Sequence, residues 1–395
     1  MISETLTAST IKSQNKATRI AMLFQGAGHY WQPILSEFTS LFPQTTIFTP
    51  SWPGFLPGFE NSIEVIQVGK VKIVSKDKSA KGYSHSFSYL SPRIIIHLLK
   101  YQPEVVFSTA FSVWTLLASI FKIIFRWRTV VVFDGSTPGV DRLDSRLRFL
   151  VRRLIVSLTD AFITNTDAGK EYLTKVLRVD ESRVFVRPYL IPHPKTYAQN
   201  SLDLKLDGAK LQRPIFICVG KLIPRKGLLE LLKACYLLQA QGYEDYSLLL
   251  IGKGWQRQEL EEFIKTHNLT EQVQFLGNVE YEQMGNYYQQ ADIFVFPTLE
   301  DVWGLVTIEA MMFGKPILCS KWAGSAEIVE EGKNGYIFDP HTPEKLAELM
   351  SQFIDRPDLI NKMGEKSQQI MTNHQPEAVS QFMAEVVNFV EQKYS

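Results

Sequence analysis

The 395-residue sequence has few cysteines, almost no net charge and no long apolar segment, and each of these shortages excludes a class of protein. Cys218, Cys235 and Cys319 have neither disulfide-type nor metal-type spacing, which predicts buried thiols in a reducing compartment. A net charge of +1 provides no overall field that would attract nucleic acid. No Asp-x-Asp motif occurs and the seven histidines are scattered, so we expect no metal and no cofactor.

The apolar segments are too short or too charged to cross a membrane. Residues 111–127 fall about one helical turn short of a span and include Lys122 and Arg126. We therefore expect a buried helix there. Residues 1–18 lack the apolar core of a signal peptide, and we expect a flexible polar tail at the start of a cytoplasmic protein.

Length and pattern predict an α/β protein of two domains, because apolar strands alternate with helical segments along the chain. The first domain covers residues 19–190 and the second covers residues 214–375. The polar segment 191–213 between them is the predicted linker, and we expect the functional site in the crevice between the domains.

The most informative segment is residues 294–314, which has the pattern of a strand, a short turn and a helix. Gly304 allows the backbone to approach a ligand where the helix begins, and free amides at a helix start bind anions. Asp301 and Glu309 flank that point, eight positions apart, and carboxylates accept strong hydrogen bonds from hydroxyl groups. The pattern predicts a ligand with anionic and polyhydroxylated parts, such as a nucleotide-sugar.

A second candidate element follows the strand at residues 215–219. Gly220, Lys221, Arg225 and Lys226 precede a helix, although the helix dipole disfavours cations at that end. Such a conflict favours a functional role, since fixed cations stabilise a departing diphosphate. Further turns at Gly252 and at Gly277 and Asn278 end two later strands, and strand ends of a parallel sheet converge on a ligand.

In the first domain, candidate residues follow two strands. Gly26 and Gly28 form a turn after residues 19–24, where an open α/β sheet commonly meets its ligand. Asp134 follows the strand at residues 128–133. Its carboxylate either binds a sugar or acceptor hydroxyl or caps the next helix.

The segment from Pro297 to Gly304, followed by Glu309, Ala310 and Met311, resembles the E-x7-E signature of the retaining GT-B glycosyltransferases of family 4, the glycosyl transferases group 1. The first family glutamate falls on Asp301, which is one methylene shorter, and neighbouring Glu300 is the alternative. Residues 220–227 resemble the family element G-R-L-x-x-x-K-G, in which Lys226 matches and Lys221 replaces arginine.

The resemblance implies a GT-B fold, in which two Rossmann-like domains face each other across a central cleft and the final helix, residues 376–395, returns to the first domain. The first domain would bind the acceptor and the second the donor. The resemblance implies that Lys226, with Lys221 or Arg225, holds the diphosphate of the donor. Glu309 would bind the ribose, and Asp301 or Glu300 would bind the transferred sugar. The backbone from Trp303 through Gly304 to Leu305 would position that sugar. Turns at Gly220, Gly252, Gly277 and Asn278 would line the nucleotide, Gly26 and Gly28 would lie near the phosphates, and Asp134 stands where the family often has histidine.

The implied reaction is the transfer of a hexosyl unit, with retention, from a UDP- or GDP-sugar to an acceptor hydroxyl. Residues 141–155 form a basic amphipathic segment, which either contacts an anionic membrane or packs its apolar stripe on the sheet. The first interpretation favours a membrane glycolipid or a lipid-linked saccharide as acceptor. Two alternatives are a nucleotide-sugar epimerase on the same fold and an inactive nucleotide-sugar-binding protein; donor hydrolysis would separate the latter from an active transferase.

Overall fold

A computed structural model describes residues 18–26, 28–70, 72–78, 84–141, 145–189, 191–192, 196–197 and 211–392 of the chain. Two compact units emerge. The first comprises residues up to Lys76, His85–Pro192 and the residues from Gln375 onward. The second comprises His193–His374 together with the short segment Asp77–Ser84. The predicted tail is residues 1–18, of which residues 1–17 lie outside the described residues, as does most of the predicted linker.

Strands and helices alternate through most of both units. The strands are β1 (Ile20–Leu23), β2 (Thr45–Thr49), β3 (Glu64–Gln67), β4 (Lys72–Lys78), β5 (Ser84–Tyr89), β6 (Val105–Thr109), β7 (Arg128–Phe133), β8 (Ala161–Thr164), β9 (Val184–Val186), β10 (Ile215–Val219), β11 (Ser247–Ile251), β12 (Val273–Gly277), β13 (Ile293–Phe296), β14 (Ile317–Ser320) and β15 (Gly335–Phe338). The helices are α1 (Gln32–Leu41), α2 (Ile94–Tyr101), α3 (Val113–Phe125), α4 (Pro138–Asp141), α5 (Arg146–Leu158), α6 (Asp167–Glu171), α7 (Leu228–Ala240), α8 (Arg257–Thr266), α9 (Met284–Gln290), α10 (Leu305–Met312), α11 (Pro343–Asp355), α12 (Asp358–Met371) and α13 (Pro376–Gln392).

The first unit is built on a seven-stranded parallel sheet with the order β3-β2-β1-β6-β7-β8-β9. Strands β1 and β8 are buried along their whole length, as expected where helices cover both faces of a parallel sheet. The last helix, α13, belongs to this unit and packs on α1, where the Ser380 hydroxyl donates a 2.9 Å hydrogen bond to the Ile34 carbonyl.

The second unit carries a six-stranded parallel sheet with the order β12-β11-β10-β13-β14-β15. Its central strands β10 and β13 are short apolar runs, and their carboxyl ends lead directly into the two motifs singled out in the sequence. The order changes direction between β10 and β13, which is where open α/β sheets hold their ligands.

Three predictions about the first unit are wrong in part. The many phenylalanine, proline and glycine residues of residues 46–81 predict long loops and edge structure with a plausible strand at residues 71–74. In the structure, β2 and β3 belong to the main sheet, with β3 at its edge, and β4 pairs with β5; residue 71 lies outside the described part. The helix predicted as buried over residues 111–127 is α3, which buries Trp114 and Ala118 but exposes Ile123 and Ile124.

The third error concerns α5. Its core-facing residues are Ile155 and Val156, whereas Leu147, Leu150 and Leu154 of the expected packing stripe are exposed. The packing interpretation therefore fails for these three leucines. Among the described residues, no helix combines the length and apolarity needed to cross a bilayer.

Candidate active site

Strands β10, β11 and β12 end side by side in the second sheet, and the turns that follow them are in contact with one another. The Gly220 amide donates to the Ile251 carbonyl at 2.9 Å, and the Gly252 amide donates to the Gly277 carbonyl at 2.7 Å. Gly252 has φ of +139°, and a Cβ placed there would lie 1.9 Å from the Gly220 carbonyl oxygen. A side chain at position 252 would separate these turns. Asn278 and Lys221 are both exposed next to them.

Two cations and one carboxylate meet beside this edge. Residues Pro224–Lys226 form a 3₁₀ turn, and the Lys226 ammonium group makes an ion pair with the Asp301 carboxylate. Arg225 Nη1 lies 3.6 Å from Asp301 Oδ2 and donates to the Glu300 carbonyl at 2.7 Å. The side chains of Arg225, Lys226 and Asp301 are only 15–16% exposed, so solvent screens their interaction weakly.

Backbone contacts fix the position of Asp301 on both sides. Its amide donates to the Trp322 carbonyl and its carbonyl accepts from the Gly324 amide, each at 3.0 Å. Its Oδ1 also accepts from the Trp303 amide at 3.3 Å. Of the two carboxylates that the sequence left open, Asp301 is the one that meets the cations, whereas Glu300 contributes its backbone carbonyl.

Gly304 follows these residues and immediately precedes helix α10. Gly304 has φ of +93°, and a Cβ there would lie 2.5 Å from Phe296 Cε1 and 2.7 Å from Ser325 Oγ. No side chain caps this helix start, whose first residue is Leu305. Trp303 is buried, and its carbonyl accepts from the Ser325 amide at 2.6 Å. Backbone amides at a helix start have the chemistry of an anion site, and Lys226 and Arg225 lie at Asp301, just before this helix.

The second motif carboxylate, Glu309, lies inside the protein on α10. It is 4% exposed and accepts a 2.7 Å hydrogen bond from the Tyr288 hydroxyl on α9. Burial raises the pKa of Glu309 to about 7, against the hydrogen bonds from Tyr288 and Tyr197, which lower it. Its protonation therefore changes near neutral pH, which is common for carboxylates at functional sites.

Three tyrosines surround Glu309, and sequence reasoning missed all of them. Tyr197, from the predicted linker, lies 3.3 Å from the Tyr281 hydroxyl and packs edge-on against Phe313. Burial raises the pKa values of Tyr197 and Tyr288 well above the ordinary value, so both remain hydrogen-bond donors. The aromatic content around positions 281–288 was the only available signal, and it did not point to the helix that bears Glu309.

In the first unit, Asp134 lies at the end of β7 within a closed set of hydrogen bonds. The Tyr189 hydroxyl donates to Asp134 Oδ1, and Asn165 Nδ2 donates to the Asp134 carbonyl at 3.0 Å. Asn165 Oδ1 in turn accepts from the Tyr189 amide at 2.8 Å, and Trp31 stacks on the Tyr189 ring. The side chain of Asp134 thus contacts Tyr189, which differs from the helix-capping role considered in the sequence. Asn165 and Tyr189 were not predicted.

The electrostatics of Asp134 reflect two opposing influences. Surrounding protein raises its pKa by desolvation, whereas the hydrogen bond from Tyr189 lowers it. Desolvation is the larger influence, so the pKa of Asp134 lies above its ordinary value. Burial and the nearby Asp134 charge raise the pKa of Tyr30 to about 12. Of the two predicted glycines, Gly28 packs on the Tyr30 ring and Gly26 is exposed.

Comparison with protein families assigns both halves of the chain. The model described as Glycosyl transferases group 1 matches residues 205–370, and the model described as Glycosyltransferase Family 4 matches residues 24–191. The first match contains the Lys226, Asp301 and Glu309 cluster, and the second contains Asp134. Among the described residues, no cluster of histidine, cysteine and acidic side chains is arranged to hold a metal ion.

Individual relatives agree with that assignment. D-inositol 3-phosphate glycosyltransferase 2 of Catenulispora acidiphila is 27% identical over 265 residues, which is 61% of each chain. The aligned region spans 59% to 61% of the length of the first curated relatives that the chain matches. Anabaena HepE in complex with UDP has a TM-score of 0.71, with 17% identity, over 94% of this chain and 100% of HepE. WaaG, a glycosyltransferase involved in lipopolysaccharide biosynthesis, has a TM-score of 0.65, with 17% identity, over 93% of this chain and 99% of WaaG. At these identities the two structures establish the fold, which is GT-B.

Proposed function

This chain belongs to the GT-B glycosyltransferases of the group 1 and family 4 type, and we propose that it moves a hexosyl unit from a UDP- or GDP-sugar to an acceptor hydroxyl with retention of configuration. The observation that carries the proposal is the convergence of Lys226 and Arg225 on the carboxylate of Asp301, immediately before the uncapped start of α10. Paired cations beside free amides suit a diphosphate, whose charge grows as it departs.

In the proposed reaction, the bond from the anomeric carbon to the diphosphate oxygen breaks, and the acceptor oxygen bonds to the same face of that carbon. The acceptor proton passes to the leaving phosphate oxygen, so atoms and charge balance without an enzyme nucleophile. Lys226 and Arg225 stabilise the leaving diphosphate, and Lys221, exposed beside Gly220, adds a third cation. The proposed chemistry uses no metal ion or cofactor, so a chelator should leave donor binding unchanged.

The remaining donor groups have distinct proposed roles. Asp301 accepts from hydroxyls of the transferred sugar once the diphosphate shares its cations, and the backbone from Trp303 to Leu305 positions that sugar. Glu309, held by Tyr288, accepts from ribose hydroxyls. An ionised carboxylate accepts such bonds best, so we expect nucleotide affinity to rise as the pH increases through about 7.

The first unit supplies the proposed acceptor site, in which Asp134 binds an acceptor hydroxyl. We propose a membrane glycolipid or a lipid-linked saccharide as the acceptor and the cytoplasmic face of a membrane as the place of action. The likeness to WaaG, whose name refers to lipopolysaccharide biosynthesis, supports a lipid-borne acceptor. The complex of Anabaena HepE with UDP supports a uridine nucleotide donor.

The test is a thermal-shift panel of UDP, GDP, ADP and their common sugars, with and without chelator. We expect one nucleotide series to raise the melting temperature, because a ligand at a hundred times its Kd stabilises by about 2.7 kcal/mol. Lys226→Ala should abolish that response when each variant is compared with its own ligand-free state. The exposed Lys345→Ala is the matched control and should respond like the wild type. No response of the wild-type protein to any nucleotide would overturn the proposed donor site.

Catalysis itself is tested by incubating the responsive nucleotide-sugar without acceptor and following the sugar by NMR. Slow hydrolysis that first yields the anomer of the donor supports a retaining transferase. Binding without hydrolysis would favour an inactive binding protein, and conversion to an epimeric nucleotide-sugar would favour an epimerase.

A further inference from the structure

We propose that the outer faces of α2, α3 and α5 form one docking surface for a lipid bilayer that carries anionic headgroups. This inference gives the proposed function its location, because a lipid-borne acceptor would be presented at such a bilayer. Only the link to a lipid-borne acceptor rests on the proposed function. The surface itself is defined by its exposed apolar side chains and its basic residues.

Exposed aliphatic side chains are concentrated on these three helices. Of thirteen exposed large apolar residues among those described, nine lie there: Ile96, Leu99, Ile120, Ile123, Ile124, Phe125, Leu147, Leu150 and Leu154. The most exposed are Leu147 at 73%, Ile124 at 68% and Ile123 at 67%. Scattered single apolar residues need no explanation, but a cluster of this size marks an interaction site.

The topology places the three helices on one side of the first sheet. Helix α3 joins β6 to β7 and α5 joins β7 to β8, and right-handed crossovers that progress in one direction along a sheet lie on the same face. Lys122 Nζ donates to the Leu158 carbonyl at 2.8 Å, which ties the end of α3 to the end of α5. Trp114 Nε1 donates to the Ser91 carbonyl at 2.8 Å, which ties the start of α3 to the segment before α2. The exposed apolar residues therefore lie on neighbouring helices on one side of the first sheet.

The charged side chains carried by α3 and α5 themselves have one sign. Helix α3, counted with residue 126 that follows it, and helix α5 contain no acidic residue. They contain six basic residues, which are Lys122, Arg126, Arg146, Arg148, Arg152 and Arg153. Arg126, Arg146 and Arg153 are exposed. Lys122 instead pairs with buried Asp160, and Arg152 donates to the Asp141 and Val140 carbonyls, so both stabilise the unit itself.

An anionic bilayer fits this combination better than a second copy of the chain. A symmetric dimer through α5 would bring arginines of both copies together without an acid on either helix to compensate them. A bilayer accepts the aliphatic side chains below its headgroups while the arginines remain at the anionic surface. The chain's net charge of +1 makes this local clustering the relevant electrostatic feature.

The experiment is flotation of the full chain with vesicles of phosphatidylcholine alone and of phosphatidylcholine with phosphatidylglycerol. We expect binding to the anionic vesicles, weakened by salt, and little binding to the neutral ones. Leu147→Ser combined with Leu150→Ser should weaken binding at least about tenfold, because two inserted leucines lose their apolar contact. Arg126→Asn combined with Arg146→Gln should remove most of the preference for anionic lipid, about fivefold for each charge.

The matched control is Tyr236→Ser, which removes a 44% exposed apolar side chain from α7 in the second unit and should bind vesicles as the wild type does. Absence of vesicle binding by the wild type, or undiminished binding by the leucine variant, would overturn the proposal. A concentration-dependent dimer that the leucine substitutions dissociate, seen by sedimentation velocity without lipid, would overturn it in favour of a second copy.

The same preparations are tested for their thermal response to the nucleotide panel, so the two proposals fail separately. Nucleotide response without vesicle binding would refute the docking surface and leave the donor site intact. Vesicle binding without nucleotide response would refute the proposed function and leave the docking surface intact.

Discussion

Replacing Glu309 with glutamine should make the ligand-free protein more stable at alkaline pH and weaken its binding of nucleotide. Glu309 is 4% exposed, and the groups it faces in the structure are the hydroxyls of Tyr288 and Tyr197 rather than a cation. A glutamine at this position would be neutral at every pH and would still accept from those hydroxyls. The substitution therefore removes the cost of a buried charge and keeps the hydrogen bonds.

The sign and size follow from the pKa of Glu309. Burial raises it from 4.5 to about 7, so folding favours the protonated form. Its contribution is neutral below the unfolded value, becomes destabilising as the pH rises from that value toward the folded one, and levels off above the folded value. The full difference corresponds to about 3 kcal/mol, and most of it is already present near pH 7, where half of the carboxyl groups in the folded protein are charged. For a domain of this size, that raises the melting temperature by roughly 6–12 °C.

The assay is differential scanning calorimetry of wild type and Glu309→Gln without ligand between about pH 4 and pH 8.5, the interval that covers both pKa values. The difference in melting temperature should be small at the acidic end and grow with pH. Exposed Glu280→Gln serves as the control and should show no such growth. A pH-independent difference, or a Glu309→Gln protein that is less stable at alkaline pH, would refute the reasoning. In parallel, nucleotide affinity should fall about tenfold or more, since a charged acceptor for ribose is lost.

Two further predictions concern backbone geometry and the acceptor unit. Gly304→Ala should destabilise the protein by roughly 2–4 kcal/mol in urea denaturation, because it combines a strained φ with a 2.5 Å approach to Phe296; Gly26→Ala, where no atom lies within 4 Å of the added Cβ, should cost little. Tyr189→Phe should reduce donor hydrolysis about tenfold while leaving the thermal response to nucleotide unchanged, because Asp134 loses its hydrogen-bond donor; equal rates for Tyr189→Phe and wild type would remove Asp134 from the proposed machinery.

The second unit could be predicted closely from sequence because its signals are local. Strand β10 has the predicted bounds, residues 215–219, and the strand, turn and helix predicted for residues 294–314 correspond to β13, the connecting turn and α10. Short apolar runs that end at glycine or proline fix the strand ends, and each motif lies within one strand-to-helix connection. The group 1 family resemblance rested on these connections, and the family models confirm it.

The first unit was harder to predict because its decisive contacts join distant parts of the chain. Strands β2 and β3 lie in a segment rich in proline, glycine and aromatic residues, where the periodicity is weak, and partners in the sheet decide their conformation. Asp134 contacts Tyr189, 55 positions later, which no spacing rule anticipates. The leucine stripe of α5 has helical periodicity, but periodicity cannot tell an inward-facing stripe from an outward-facing one.

The second unit illustrates why the first motif carboxylate can be aspartate. The backbone of residue 301 is held from both sides by Trp322 and Gly324, so the carboxylate is placed by main-chain contacts rather than by the reach of its side chain. At that position the shorter chain already meets Lys226 and lies 3.6 Å from Arg225. Without a ligand, the two cations are thus compensated by Asp301 and avoid the large cost of unpaired, partly buried charge. A diphosphate, with more negative charge than one carboxylate, would take up those cations and leave Asp301 free to accept from sugar hydroxyls. The same pair of residues would then link arrival of the leaving group to recognition of the sugar.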